Sequence, residues 1–176
     1  MLKLFSKTKP ASGKVVFSVL KSDMHSHLLP GIDDGSPDIE TSLMLIKGMM
    51  ELGYTKLVTT PHIMWDMYKN TSEVVLQKLE LVREAVKAEG LSIEINAAAE
   101  YFLDDYVEGL LKNNTPLLTI SGNMVLVEFS LAFPPRGLKD ILFEIGQYSG
   151  RLPTAGKYFF IFQSIQLEIF RCAVST

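Results

Sequence analysis

Short apolar runs alternate with stretches of helical periodicity along residues 15–147, and this alternation restricts the chain to a parallel α/β architecture. Val15–Leu20 leads into a strand ending near His27. Ser36 is placed to cap a helix with Pro37 at its first position, Ile39, Leu43, Ile46 and Met50 on one face, and Gly53 as its stop. Lys56–Thr60 reads as a strand. Thr71 or Ser72 opens a second helix with Val75, Leu79, Val82 and Val86 on one face, and Gly90 ends it. Leu91–Ala99 and Met124–Phe129 read as further strands, and Leu117–Ile120 as a shorter one. A short helix spans Asp104–Leu111, and another follows Pro134-Pro135 with Leu138, Ile141, Leu142 and Ile145. The succession repeats at roughly 30 residues per βα unit, and right-handed crossovers wind it into a barrel or an open sheet. A complete eightfold barrel takes about 250 residues, so this chain supplies an incomplete one of about five units.

The single run of metal-competent residues is dense: Asp23-Met24-His25-Ser26-His27-Leu28-Leu29-Pro30-Gly31-Ile32-Asp33-Asp34-Gly35. Strand side chains alternate with period two, which puts Asp23, His25 and His27 on one face. The Pro-Gly turn can fold Asp33 and Asp34 back over the strand end. Alone, such a motif is also compatible with a polar strand terminus. An EF-hand is excluded, because Pro30 stands where a ligating acid is required. His62 follows the run Leu57–Pro61; Glu100 ends Ile93–Ala99; Glu128 ends Met124–Val127. A lone histidine there can be a hydrogen-bonded core residue, and a lone glutamate an ion pair to lysine. Taken together, four strands each deliver a metal-competent side chain to their C-terminal ends, where α/β proteins bind ligands. All three histidines of the chain belong to this set.

Composition narrows the function. A net charge of −3 argues against nucleic acid as the main partner. Lys3, Lys7, Lys9, Lys14 and Lys21 precede the first acid, which makes residues 1–14 a solvated basic arm or a weak contact for an anionic surface. No apolar core of signal-peptide length follows them, and no run reaches membrane-spanning length, so a cytoplasmic location is expected. Cys172 is the only cysteine, and no arginine follows it; an intrachain disulfide and a cysteine-phosphatase loop are both excluded.

Leu-Pro-Gly-Ile-Asp-Asp-Gly after the paired histidines, Thr-Thr-Pro-His at 59–62 and Ala-Ala-Glu-Tyr at 98–101 occur in the order found in the PHP (polymerase and histidinol phosphatase) family. Over roughly residues 17–147 the chain resembles its bacterial capsule-regulating protein-tyrosine phosphatases. The resemblance implies a distorted (β/α) barrel and a manganese-dependent enzyme acting on the phosphotyrosine tail of an exopolysaccharide-export tyrosine kinase. It implies that His25 and His27 hold one metal, that Glu100 bridges to a second completed by Glu128, and that Asp33 and His62 serve a third. Arg136 would contact substrate phosphate. Mixed histidine and carboxylate ligands suit Mn2+, Fe2+ or Zn2+. Clustered cations would acidify a water that attacks phosphorus in line with the tyrosyl oxygen.

The resemblance stops after Ile145. The family's His-Pro-Glu-Arg and Asp-x-His motifs are absent from this sequence, and residues 148–176 read as a divergent hydrophobic tail. A truncated or frameshifted reading frame and a genuine divergent ending are both compatible with this. Each metal would lack a ligand, so the expectation divides between an active tyrosine phosphatase, a weakly metal-binding inactive fragment, and a small-molecule phosphatase of the histidinol-phosphate kind.

Overall fold

A computed structural model describes residues 19–122, 124–130, 132–148 and 159–163. Seven strands and four helices occur among them, in the order β1 (Ser22–Asp23), α1 (Ile39–Glu51), β2 (Lys56–Thr59), β3 (His62–Ile63), α2 (Ser72–Ala88), β4 (Glu94–Ala97), β5 (Glu100–Phe102), α3 (Asp105–Lys112), β6 (Met124–Glu128), α4 (Leu138–Tyr148) and β7 (Phe159–Gln163). The expected arm at 1–14, the start of the first strand and Cys172 lie outside the described residues, as does most of the tail.

All strand pairs are parallel. One sheet has the order β1-β2-β4 and the other β3-β5-β6-β7. The two sheets are continuous through the backbone. Pro61 has no N–H to give to a ladder, so one bent strand is divided into β2 and β3. Ala98-Ala99 divides β4 from β5 alongside it. Ala98 N donates to Thr59 O at 2.9 Å and Glu100 N to Pro61 O at 3.0 Å, which carries the pairing across the bend. The result is five parallel strand positions in chain order, with helices between them.

Side-chain alternation separates two faces. Leu57, Ile95, Val125 and Val127 pack in the large core with Ile46 of α1, Val75, Leu79, Val82 and Val86 of α2, Val107 and Leu111 of α3, and Ile141 and Ile145 of α4. Val58, Ala98, Ile120 and Leu126 form a second, smaller cluster. The described helices therefore share one core, as in a barrel-type winding rather than a doubly wound sheet. Closure into a barrel is not seen among the described residues. None of the described helices is long and apolar enough to cross a membrane.

The helix ends follow the sequence with one correction. Asp38, not Ser36, caps α1: its Oδ1 accepts from Thr41 N at 2.7 Å. Buried Ser36 instead bonds Asp38 O and Ser42 Oγ, closing the turn beneath the cap. Thr71 caps α2, and Gly53 and Gly90 adopt φ of +96° and +68° beyond the ends of α1 and α2. Leu117–Ile120 is not a strand. Its backbone turns onto other partners, with Leu118 N donating to the Tyr101 hydroxyl and Ile120 N to Met124 O, both at 2.8 Å. β7 lies within the stretch that the sequence reading leaves as tail; it pairs with β6 from Met124↔Phe159 to Glu128↔Gln163.

Candidate metal centre

The register of the second sheet places three of the expected residues together. His62 pairs with Glu100, and Glu100 with Leu126; Glu128 lies two residues beyond Leu126, on the same face. Leu126 belongs to the small cluster, so these side chains project away from the helices. His62 Nδ1 lies 3.5 Å from Glu100 Oε2 and 3.6 Å from Glu128 Oε2.

The β1 segment adds the histidine pair. Between β1 and the Thr60 bond the register slips by one residue, because Lys56 N bonds Lys21 O whereas Thr60 N bonds Ser26 O. His27 Nε2 comes to 3.4 Å from Glu100 Oε2, and His25 Nε2 to 3.9 Å from the same oxygen. Asp23, which simple alternation groups with the histidines, is not among the residues that converge. The Thr-Thr-Pro-His segment explains itself here. Thr59 Oγ1 donates to Ser26 O at 2.8 Å and accepts from Leu28 N at 2.9 Å. Thr60 Oγ1 lies 2.6 Å from His25 Nδ1 and holds that ring.

The two acids of the turn separate in role. The Asp33 side chain is fully buried: Oδ2 lies 2.8 Å from His27 Nδ1 and accepts from His62 N at 3.0 Å, while Oδ1 accepts from Gly35 N at 3.0 Å. This is the carboxylate–imidazole contact that orients a metal-binding histidine, leaving Nε2 to face the cluster. Asp34 is half exposed and presents Oδ1 3.5 Å from His62 Nε2 and 4.0 Å from His27 Nδ1. The turn's free oxygen thus comes from Asp34, one residue past the acid expected from sequence. A Cβ on Gly35 would collide with the Cβ and carbonyl oxygen of His27, so only glycine lets the turn close over this ring. Sequence reasoning misses Asn70, which precedes the helix-opening Thr71. It is buried, and its Nδ2 donates to Ile32 O and His62 O, both at 2.8 Å, tying the turn to β3. Arg136 is exposed between β6 and α4 and makes no ion pair with the cluster among the described residues.

Three overlapping groups have donor atoms mutually close enough to hold an ion: His25, His27 and Glu100; His27, Asp34 and His62; His62, Glu100 and Glu128. Their chemistry fits divalent cations. His27 Nε2, His62 Nδ1 and both oxygens of Glu100 are buried without a hydrogen-bond partner, and such groups are costly unless a cation satisfies them. The 3.4 Å contact between His27 and Glu100 is an ion-pair distance without hydrogen-bond alignment. Burial lowers the His27 pKa, but the bond to Asp33, the proximity of Glu100 and both charges outweigh it, leaving the ring pushed up to about 10. Burial likewise raises Asp33, and its bonds to His27, Gly35 and His62 bring it below the usual carboxylate range.

Comparison with known proteins agrees with this architecture. The family model for capsular polysaccharide synthesis, CpsB/CapC, matches residues 21–153. The tyrosine-protein phosphatase CpsB of Streptococcus pneumoniae is 32% identical over 125 residues, covering 68% of this chain and 51% of its own. The tyrosine-protein phosphatase YwqE of Bacillus subtilis (strain 168) is 24% identical over 132 residues, covering 75% and 52%. A crystal structure from work on YwqE and on CpsB, described as unique metal-dependent tyrosine phosphatases, superposes with a TM-score of 0.65 at 23% identity, over 80% of this chain and 54% of that one. The chain spans about half the length of the relatives it matches. With a family match over most of its residues, the chain belongs to the CpsB/CapC capsular polysaccharide synthesis family.

Proposed function

We propose that this chain is a metal-dependent protein-tyrosine phosphatase that removes phosphate from the phosphotyrosine tail of a bacterial tyrosine kinase of capsule or exopolysaccharide export, in the cytoplasm. The observation that carries the reading is Glu100: a fully buried carboxylate, both oxygens unpartnered, facing three imidazoles. The relatives' names support the reaction, and the family description supports the capsule setting. The functional unit is residues 15–147, flanked by a basic arm and a hydrophobic tail; the family match overlaps this unit closely.

His25, His27, His62, Glu100 and Glu128 would hold the cations, with a carboxylate from the 33–34 turn, and Asp34 is the better placed of that pair. Mn2+ is the proposed ion, with Fe2+ and Zn2+ as alternatives; the carboxylate share of the set favours manganese. Bound divalent cations supply Lewis acidity for phosphoryl transfer and acidify water. The protein's own part is positional. Asp33 and Thr60 fix the two histidine rings, and the buried carboxylates hold excess negative charge where phosphate must be met by cations. Asp34, half exposed, and His25, 31% exposed at its side chain, mark the side open to substrate. Arg136 is proposed to meet substrate phosphate from the β6–α4 loop.

Hydrolysis of a phosphotyrosine peptide by the full chain with added Mn2+, compared with His25→Ala and Glu100→Ala, tests the proposal. Turnover in the unaltered chain that both substitutions abolish is the expected result; turnover that survives both removes the metal mechanism. Mn2+ binding without turnover by the unaltered chain would instead identify a metal-binding fragment.

A further inference from the structure

The loop that leaves the metal cluster at His62 carries an aromatic pair that the chemistry does not use. Trp65 lies three residues beyond His62, and Tyr106 lies at the start of α3, six residues beyond Glu100. Their rings stack at 4.2 Å with planes 9° apart. One carboxylate holds both members: Asp104 Oδ2 accepts from Trp65 N at 2.8 Å, and its Oδ1 accepts from Tyr106 N at 3.0 Å and Val107 N at 3.1 Å. The pair is thus fixed by backbone bonds rather than by burial, and Trp65 keeps 40% of its surface exposed. Met67, in the same loop, is 64% exposed. Tyr68 closes that loop and stacks on His62 at 5.5 Å, with planes 14° apart. The apolar surface is therefore continuous along the chain with the metal cluster, and both loops leave the strand ends that carry it.

We propose that Trp65 and Tyr106 form a docking platform for the residues flanking phosphotyrosine in an extended peptide, and that apolar or aromatic neighbours are preferred there. The inference rests on the phosphatase reading and adds the place on this chain where the residues flanking phosphotyrosine dock. An exposed tryptophan that is already immobilised loses little conformational freedom on binding, which is why such residues dominate peptide and protein contacts. A small monoester reaches the cations without touching the platform; a peptide lays its neighbouring side chains across it.

Trp65 is the only tryptophan of the chain, so its emission reports directly on occupancy. The Mn2+-loaded full chain is titrated with a peptide carrying a phosphonomethyl-phenylalanine flanked by phenylalanine, and with phosphonomethyl-phenylalanine alone. The peptide is expected to change Trp65 emission and to bind about tenfold more weakly, by calorimetry, to Trp65→Ala, with Trp65→Phe restoring most of the affinity. Free phosphotyrosine is expected to be hydrolysed equally by all three, which also shows that Trp65→Ala is folded and loaded. Equal peptide affinity in Trp65→Ala, or no peptide-dependent change in emission, overturns the platform. If the wild-type chain does not hydrolyse free phosphotyrosine but binds the peptide through Trp65, the phosphatase reading fails and the platform stands.

Discussion

Gly35 and Gly48 invite the same substitution with opposite outcomes. In Gly35→Ala the new methyl meets the Cβ and carbonyl oxygen of His27 and comes within 3.0 Å of Asp33 Oδ1. None of these can retreat as the tip of a flexible side chain can, because His27 and Asp33 are bonded to each other. Overpacking of this kind costs about 1–3 kcal/mol, and for a chain of this size each kcal/mol moves Tm by about 2–4 °C, so Tm should fall by about 2–12 °C. In Gly48→Ala, on α1, the methyl meets nothing within 4 Å. The gain in helix propensity is about 1 kcal/mol, a rise in Tm of about 2–4 °C. Thermal denaturation of both variants, with chelator and with Mn2+, gives the comparison. Gly35→Ala should also lose most of the metal-induced stabilisation, since His27 must move, while Gly48→Ala should keep all of it. Wild-type Tm and wild-type metal response in Gly35→Ala would refute the turn's role in shaping the site.

Further outcomes follow from the residues around the cluster. Asp33→Asn removes the charge that orients His27 and should weaken Mn2+ binding by about 10–100-fold by calorimetry, without abolishing it. Asn70→Ala leaves Ile32 O and His62 O without their donor; it should cost about 1–3 kcal/mol in denaturant unfolding and also reduce metal affinity. His27, raised to about 10 in the metal-free chain, carries a proton at pH 7 that a cation must displace. Metal binding at pH 7 should therefore release about one proton from this ring, with affinity rising about tenfold per pH unit until pH approaches that value. Calorimetry in buffers of different ionisation enthalpy measures the proton count, and a count of zero contradicts the assignment.

Most of the parallel architecture is legible in the sequence because strand and helix periods differ and because α2, for example, carries Val75, Leu79, Val82 and Val86 on one face, with Glu73, Lys78, Glu80, Arg83, Glu84 and Lys87 off it. The convergence of His62, Glu100 and Glu128 is legible only as a set, because each stands at the end of an apolar strand run and the parallel register brings those ends together. The choice between Asp33 and Asp34 is not legible. It depends on how the backbone of the turn closes over His27, and adjacent acids look identical until that closure is known. Asn70 is hidden for the same reason, since its role is to bond two carbonyls from segments 38 and 8 residues away in sequence. The helix cap moved from Ser36 to Asp38 because both are good caps and burial assigns Ser36 to Ser42 instead. The strand at Phe159–Gln163 shows no alternation, and its place beside β6 is set by parallel pairing rather than by local pattern.

The most direct test is a count of Mn2+ ions bound to the full chain, by equilibrium dialysis combined with electron paramagnetic resonance. Strand ends that deliver imidazoles and carboxylates to one cluster predict saturable binding of more than one Mn2+, a spectrum broadened by neighbouring ions, and loss of that broadening in Glu100→Ala. Binding of no Mn2+, or of isolated ions indifferent to Glu100, would contradict the shared site.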